Sequence, residues 1–118
     1  MQKIIVANWK MNPSHEKDAK LLFDKIKNGI KRSKNPSAGS GQVAEVVICP
    51  PFVYLPILKG LNLGAQDVFF ENSGAFTGKI TAQMLKDLKV KYVIIGHSEV
   101  RNLGETDEII NKKIRSVL

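Results

Sequence analysis

Three nearly uninterrupted apolar runs constrain this chain most: Lys3-Ile4-Ile5-Val6-Ala7, Ala44-Glu45-Val46-Val47-Ile48 and Tyr92-Val93-Ile94-Ile95. A strand wetted on one face alternates apolar with polar residues. Nearly uninterrupted β-branched runs instead fit strands covered on both faces, as in a parallel sheet flanked by helices. A fourth run, Asn62-Leu63-Gly64-Ala65, is weaker in propensity and gains weight only from its place between helical segments.

Those segments carry apolar residues at three- and four-residue spacing. Ala19, Leu22, Phe23, Ile26 and Ile30 form one stripe opposite a lysine-rich face, with Ser14 as candidate N-cap and Glu16 and Asp18 in the first turn. Pro51 is suited to begin a second helix with Leu55 and Leu58 inward, which Pro56 keeps short or distorted. Thr81 is placed to cap a third bearing Met84, Leu85 and Leu88. A fourth begins near Thr106 with Asp107 and Glu108, has Lys112 and Lys113 later, and turns Ile109, Ile110, Ile114 and Val117 inward. The Asn35–Gln42 segment reads as a loop inside one unit, not as a domain linker. The order βαβαβαβα implies parallel strands joined by right-handed crossovers. Local pattern does not separate an open doubly wound sheet from part of a closed barrel.

A chain of 118 residues suits a single domain, 1–118. Its 43% apolar and 25% charged fractions are those of a globular protein. One cysteine, Cys49, excludes an internal disulfide framework and fits a reducing compartment. The opening residues lack a signal-peptide core, and no run reaches membrane-spanning length, so a soluble cytoplasmic protein without membrane partners is expected. The net charge of +7 comes largely from lysines on the first helix. Phe23, the one aromatic among them, lies on the apolar stripe, so that face reads as solvated and not as a nucleic-acid surface.

In parallel α/β folds ligands meet the carboxyl ends of the strands. Those ends carry Asn8-Trp9-Lys10-Met11-Asn12, then Cys49-Pro50-Pro51, Gln66-Asp67 and Gly96-His97-Ser98-Glu99. Lys10 is a cationic donor suited to a phosphate or carboxylate. His97 has the chemistry to donate to a carbonyl oxygen gaining negative charge, or to shuttle a proton. Ser98 is placed to cap a short helical turn, and Glu99 to hold Lys10 or the backbone, with proton transfer as its less favoured alternative role. The two histidines, His15 and His97, lie far apart with one cysteine, so no metal-ligand spacing exists. Gly39-Ser40-Gly41 precedes a strand instead of opening a helix, and no nucleotide-binding fingerprint is present. Cys49, before two prolines, reads as a packed thiol and not a nucleophile.

Taken in order, Ala7-Asn8-Trp9-Lys10-Met11-Asn12, Cys49-Pro50-Pro51, Gly64-Ala65-Gln66, Gly74-Ala75-Phe76-Thr77-Gly78, Tyr92 to Glu99 and Gly104-Glu105-Thr106-Asp107 resemble the N-terminal half of triosephosphate isomerase. The resemblance implies (βα)4, half of a (β/α)8 barrel. It implies a glycolytic and gluconeogenic isomerase that interconverts dihydroxyacetone phosphate and glyceraldehyde 3-phosphate without cofactor or metal. By position Asn8 and Lys10 match the family's substrate-binding pair, His97 its electrophile and Glu99 a supporting carboxylate. Thr77 matches the residue that reaches the neighbouring subunit's site in the family homodimer.

The family's general base is a glutamate in an Ala-Tyr-Glu-Pro-Val-Trp motif, which these residues do not contain. A full barrel takes about 250 residues. The expected reading is therefore a fragment or split half with little activity alone, partnered by a complementary C-terminal half. The alternative is a non-catalytic half-barrel that binds phosphate or pairs with a second copy. Lys79 and Val100 stand where the family usually has an acidic residue and an arginine that pair across the dimer, which points to an altered dimer contact.

Overall fold

The computed structural model describes residues 3–33 and 44–118; the segment Asn35–Gln42, expected as a loop, lies outside them. Strands β1 (Ile4–Asn8), β2 (Glu45–Cys49), β3 (Asn62–Ala65) and β4 (Tyr92–Val93) pair in parallel in chain order. The register sets Asn8 opposite Cys49 and Ala65 opposite Val93. A doubly wound sheet reverses its strand order at a switch point. This sheet never does, and it curls into half of a barrel.

Between the strands lie α1 (Glu16–Ser33), a 3-10 helix (Phe52–Ile57) and α2 (Ala82–Asp87), followed after β4 by α3 (Ser98–Arg101) and α4 (Asp107–Val117). Thr81 caps α2 by accepting the Met84 N–H, and Thr106 caps α4 by accepting that of Ile109. The second helix is a 3-10 segment containing Pro56, whose missing N–H suits a short element. β3 is a genuine strand despite its weak propensity. A Cβ on Gly64 would lie 2.5 Å from Cys49 Sγ and 3.2 Å from Val47 Cγ1, so glycine is what lets β2's side chains approach.

The hydrophobic core lies where Ile48, Leu63 and Ala65 meet Ala19 and Phe23 of α1 and Leu55 and Leu58. Each such large side chain contributes about 1.5–3 kcal/mol on burial. Near the amino ends of the strands, Glu45 Oε1 accepts from Asn62 Nδ2 at 2.7 Å and Tyr92 OH at 2.8 Å, joining β2, β3 and β4.

Cover differs from expectation at several places. In β1, Ile4, Ile5 and Val6 are 51%, 55% and 52% exposed. Successive strand residues point to opposite faces, so among the described residues neither face is covered over Ile4–Val6, whereas Ala7 packs against the core. Leu22 on α1, Met84 on α2, and Ile114 and Val117 on α4 are also exposed. On α4 the inward positions are Ile110 and Lys113, because two carboxylates meet the lysine beneath the helix. No described helix is long and apolar enough to cross a membrane.

Candidate functional site at the strand tips

Beyond Asn8 the chain turns sharply. Asn8 Oδ1 accepts the Lys10 backbone N–H at 2.9 Å, an Asx turn that ends the strand. Lys10 is held in the left-handed region, φ 57°, at a cost of roughly 1–2 kcal/mol for a residue with a Cβ. From the tip of β3, Gln66 Nε2 donates to the Lys10 carbonyl at 2.7 Å and the Cys49 carbonyl at 2.9 Å. The Lys10 ammonium then reaches Glu99 Oε1 at 2.6 Å.

The other side of the rim follows β4. His97, not Ser98, is the N-cap of α3: its Nδ1 accepts the Glu99 backbone N–H at 3.1 Å. Ser98 is already the first helical residue and is exposed, whereas a cap must precede the helix. With Nδ1 occupied as acceptor, the neutral ring carries its proton on Nε2. Glu99 Oε2 stands 3.7 Å from Nδ1, too far for a hydrogen bond. The hydrogen bond from Lys10 holds Glu99 below the usual carboxylate range; desolvation opposes this, and the charge of Lys10 reinforces it.

A buried ion cluster lies below the rim. Lys113 on α4 pairs with Asp67 Oδ1 at 2.8 Å and with Glu105 Oε2. Burial pushes the Lys113 ammonium down, but its bonds to the two carboxylates outweigh this and raise its pKa. Glu105 Oε1 is buried without a partner. Arg101 adds a second tie, donating from Nε to the Gly96 carbonyl at 3.2 Å and pairing with Asp107 at 2.6 Å. Together these bonds fasten the turn carrying His97 and Glu99 to the tip of β3 and to α4.

Lys10 and His97 thus converge on Glu99, and Asn8 shapes the backbone of Lys10. Thr77 is exposed in the loop 71–78, apart from these contacts. Lys79 in the same region places its ammonium 5.8 Å from the Phe69 ring centroid, and Val100 is half-buried on α3. Burial pushes the Cys49 thiol up to about 11, which suits a packed thiol and not a nucleophile. Among the described residues no cluster of metal-ligating side chains occurs. Gln66, Glu105 and Lys113 carry structural roles that sequence reading did not assign. Gln66 gave a signal as a polar residue at a strand tip, and Glu105 as part of the Gly104-Glu105-Thr106-Asp107 motif.

The family model for triosephosphate isomerase matches residues 3–118. Triosephosphate isomerase of Thermoanaerobacter sp. (strain X514) is 47% identical over 122 aligned positions, covering 98% of this chain and 45% of that protein. The Natranaerobius thermophilus enzyme of the same name is 45% identical, with 98% and 44% covered. The Clostridium botulinum (strain Loch Maree) enzyme is also 45% identical, with 95% and 44% covered. The chain spans about half the length of the curated relatives it matches. On this match and on the four sequentially wound parallel strands, the chain belongs to the triosephosphate isomerase family, of which it represents the N-terminal half.

Proposed function

We propose that this chain supplies the electrophilic and anion-holding side of a triosephosphate isomerase centre, whose proton-accepting carboxylate comes from a complementary C-terminal half. The single observation that carries this reading is the meeting of Lys10 and His97 on one residue, Glu99, whose carboxylate holds the Lys10 ammonium and whose backbone N–H donates to His97 Nδ1. In the proposed reaction the missing base removes a proton from the carbon beside the carbonyl of dihydroxyacetone phosphate. Charge then develops on the carbonyl oxygen, where His97 Nε2–H donates; that oxygen gains a proton from the ring while the adjacent terminal hydroxyl gives one back to it. Return of the carbon-bound proton to the former carbonyl carbon gives glyceraldehyde 3-phosphate. Asn8 and Lys10 bind the substrate, with Lys10 offsetting its charge. Glu99 keeps the ammonium at the rim, and Ser98 only continues the turn that presents His97. All steps use side chains alone, with no cofactor or metal, in a cytoplasmic glycolytic setting. Thr77 faces a second subunit where the family dimer forms, a contact that Lys79 and Val100 alter or remove.

A general base contributes about 10²–10⁴-fold, so the isolated chain has little or no isomerase activity. The test is an isomerase assay with and without an added C-terminal half, beside the same mixture carrying His97→Ala. Turnover that appears on mixing and falls with His97→Ala supports the reading. Robust turnover by the 118-residue chain alone overturns it. The exposure of Ile4, Ile5 and Val6 on β1 favours a second reading, a phosphate-binding or self-associating half-barrel without catalysis; mixing that yields a stable complex but no activity would select it.

A further inference from the structure

The conformation of Lys10 is clamped from two directions. Its N–H is held by Asn8 Oδ1 from β1, and its carbonyl by Gln66 Nε2 from β3. The same Gln66 nitrogen also donates to the Cys49 carbonyl at the end of β2, so both amide hydrogens are in use. One side chain thereby ties three strand ends together while approaching neither Glu99 nor His97 by any hydrogen bond. A left-handed backbone at a residue with a Cβ persists only where its surroundings over-determine it. Releasing the carbonyl lets the Lys10 peptide relax toward ordinary φ values and swings the ammonium away from Glu99.

We infer that Gln66 is a positioning residue: by holding the Lys10 carbonyl it fixes the left-handed turn that aims the Lys10 ammonium at Glu99. This inference rests on the anion-holding role proposed for Lys10, and it deepens that reading by assigning the group that sets its geometry. A purely structural alternative would have Gln66 join β2 to β3 through the Cys49 carbonyl, leaving the Lys10–Glu99 contact intact.

The test follows the Glu99 side-chain carboxyl carbon by NMR through a pH titration of the 118-residue chain, in wild type, Gln66→Met, Gln66→Asn, Lys10→Met and the Gln66→Met/Lys10→Met double variant. Met matches the length of Gln without donating; Asn keeps the amide but is one methylene too short to serve both carbonyls. Since Lys10 holds the Glu99 midpoint down, Lys10→Met raises it. Gln66→Met is expected to raise it by most of the same amount and to add nothing in the double variant, because a group that acts through Lys10 has no further effect once that charge is gone. Gln66→Asn gives an intermediate rise. An unchanged Glu99 midpoint in a folded Gln66 variant overturns the inference. So does unfolding of both Gln66 variants, which would make the residue one of fold stability. Failure of the isomerase assay would leave this readout untouched, so the two proposals fail separately.

Discussion

Lys10, Glu99 and His97 show how a rim residue is specified twice, once by its chemistry and once by the backbone that carries it. That a cation and an imidazole stand at strand tips was legible in the sequence. That Glu99 joins them is a matter of two short bonds, one to the Lys10 ammonium and one from its own N–H to His97 Nδ1. The His97 cap displaced the serine expected there because an Nδ1 acceptor preceding the helix competes with a hydroxyl one residue further on. The depressed Glu99 pKa gives a signed prediction. A carboxylate whose folded pKa lies below its unfolded value adds stability that is full above the unfolded value near 4.5 and lost as pH falls through the lower folded one. Chemical denaturation of wild type against Lys10→Met should show a small deficit for the variant above about pH 5. The deficit should close as the medium becomes strongly acidic; a pH-independent difference would contradict the pairing.

At the scale of elements, α4 departs furthest from its sequence pattern. Its isoleucines and valine read as a broad inward stripe, yet Ile114 and Val117 are exposed and Lys113 is only 5% exposed. Helical period alone cannot predict this: Glu105 precedes α4, Asp67 follows β3, and only the packed sheet brings both to one ammonium. Breaking a buried pair by removing one partner costs about 3–5 kcal/mol, a large share of the 5–15 kcal/mol typical of a domain. Lys113→Met should therefore lower the urea midpoint sharply, whereas Lys112→Met on the exposed face should leave it nearly unchanged. The raised Lys113 pKa places its linkage at alkaline pH. Stability from this group is full below its unfolded value near 10.5 and falls as pH rises through the higher folded one. β3 gives a steric counterpart. Gly64→Ala puts a methyl 2.5 Å from the buried Cys49 Sγ; overpacking of this kind costs typically about 1–3 kcal/mol, and Cys49→Ala should recover part of the loss in a double variant.

At the scale of the whole fold, the exposure of Ile4, Ile5 and Val6 on the first strand stands out. β2 and β3 have neighbours on both edges, and Val47, Ile48 and Leu63 are buried as their apolar runs require. β1 has the same kind of run with Ile4, Ile5 and Val6 about half exposed, and an exposed apolar edge strand is a template for pairing with another chain. The isolated protein should therefore show concentration-dependent mass in sedimentation, reduced by Ile5→Lys, which places a charge on that edge. Adding a C-terminal half should suppress the self-association of wild type if it occupies the same edge. A monodisperse monomer at all concentrations, with Ile5→Lys indistinguishable from wild type, would show that the edge is inert.

The order of strands and helices, their parallel sense and the family-specific residues at the tips came from the sequence alone, because β-branched runs, capping residues and strand-end motifs are local and read out within a few residues. The tertiary structure decided the exposure along β1, the burial of Lys113 and the clamp on Lys10. Each of these depends on groups far apart in the chain, as Gln66 is from Lys10 and Asp67 from Lys113, and on which surfaces find a partner, quantities that no local pattern encodes.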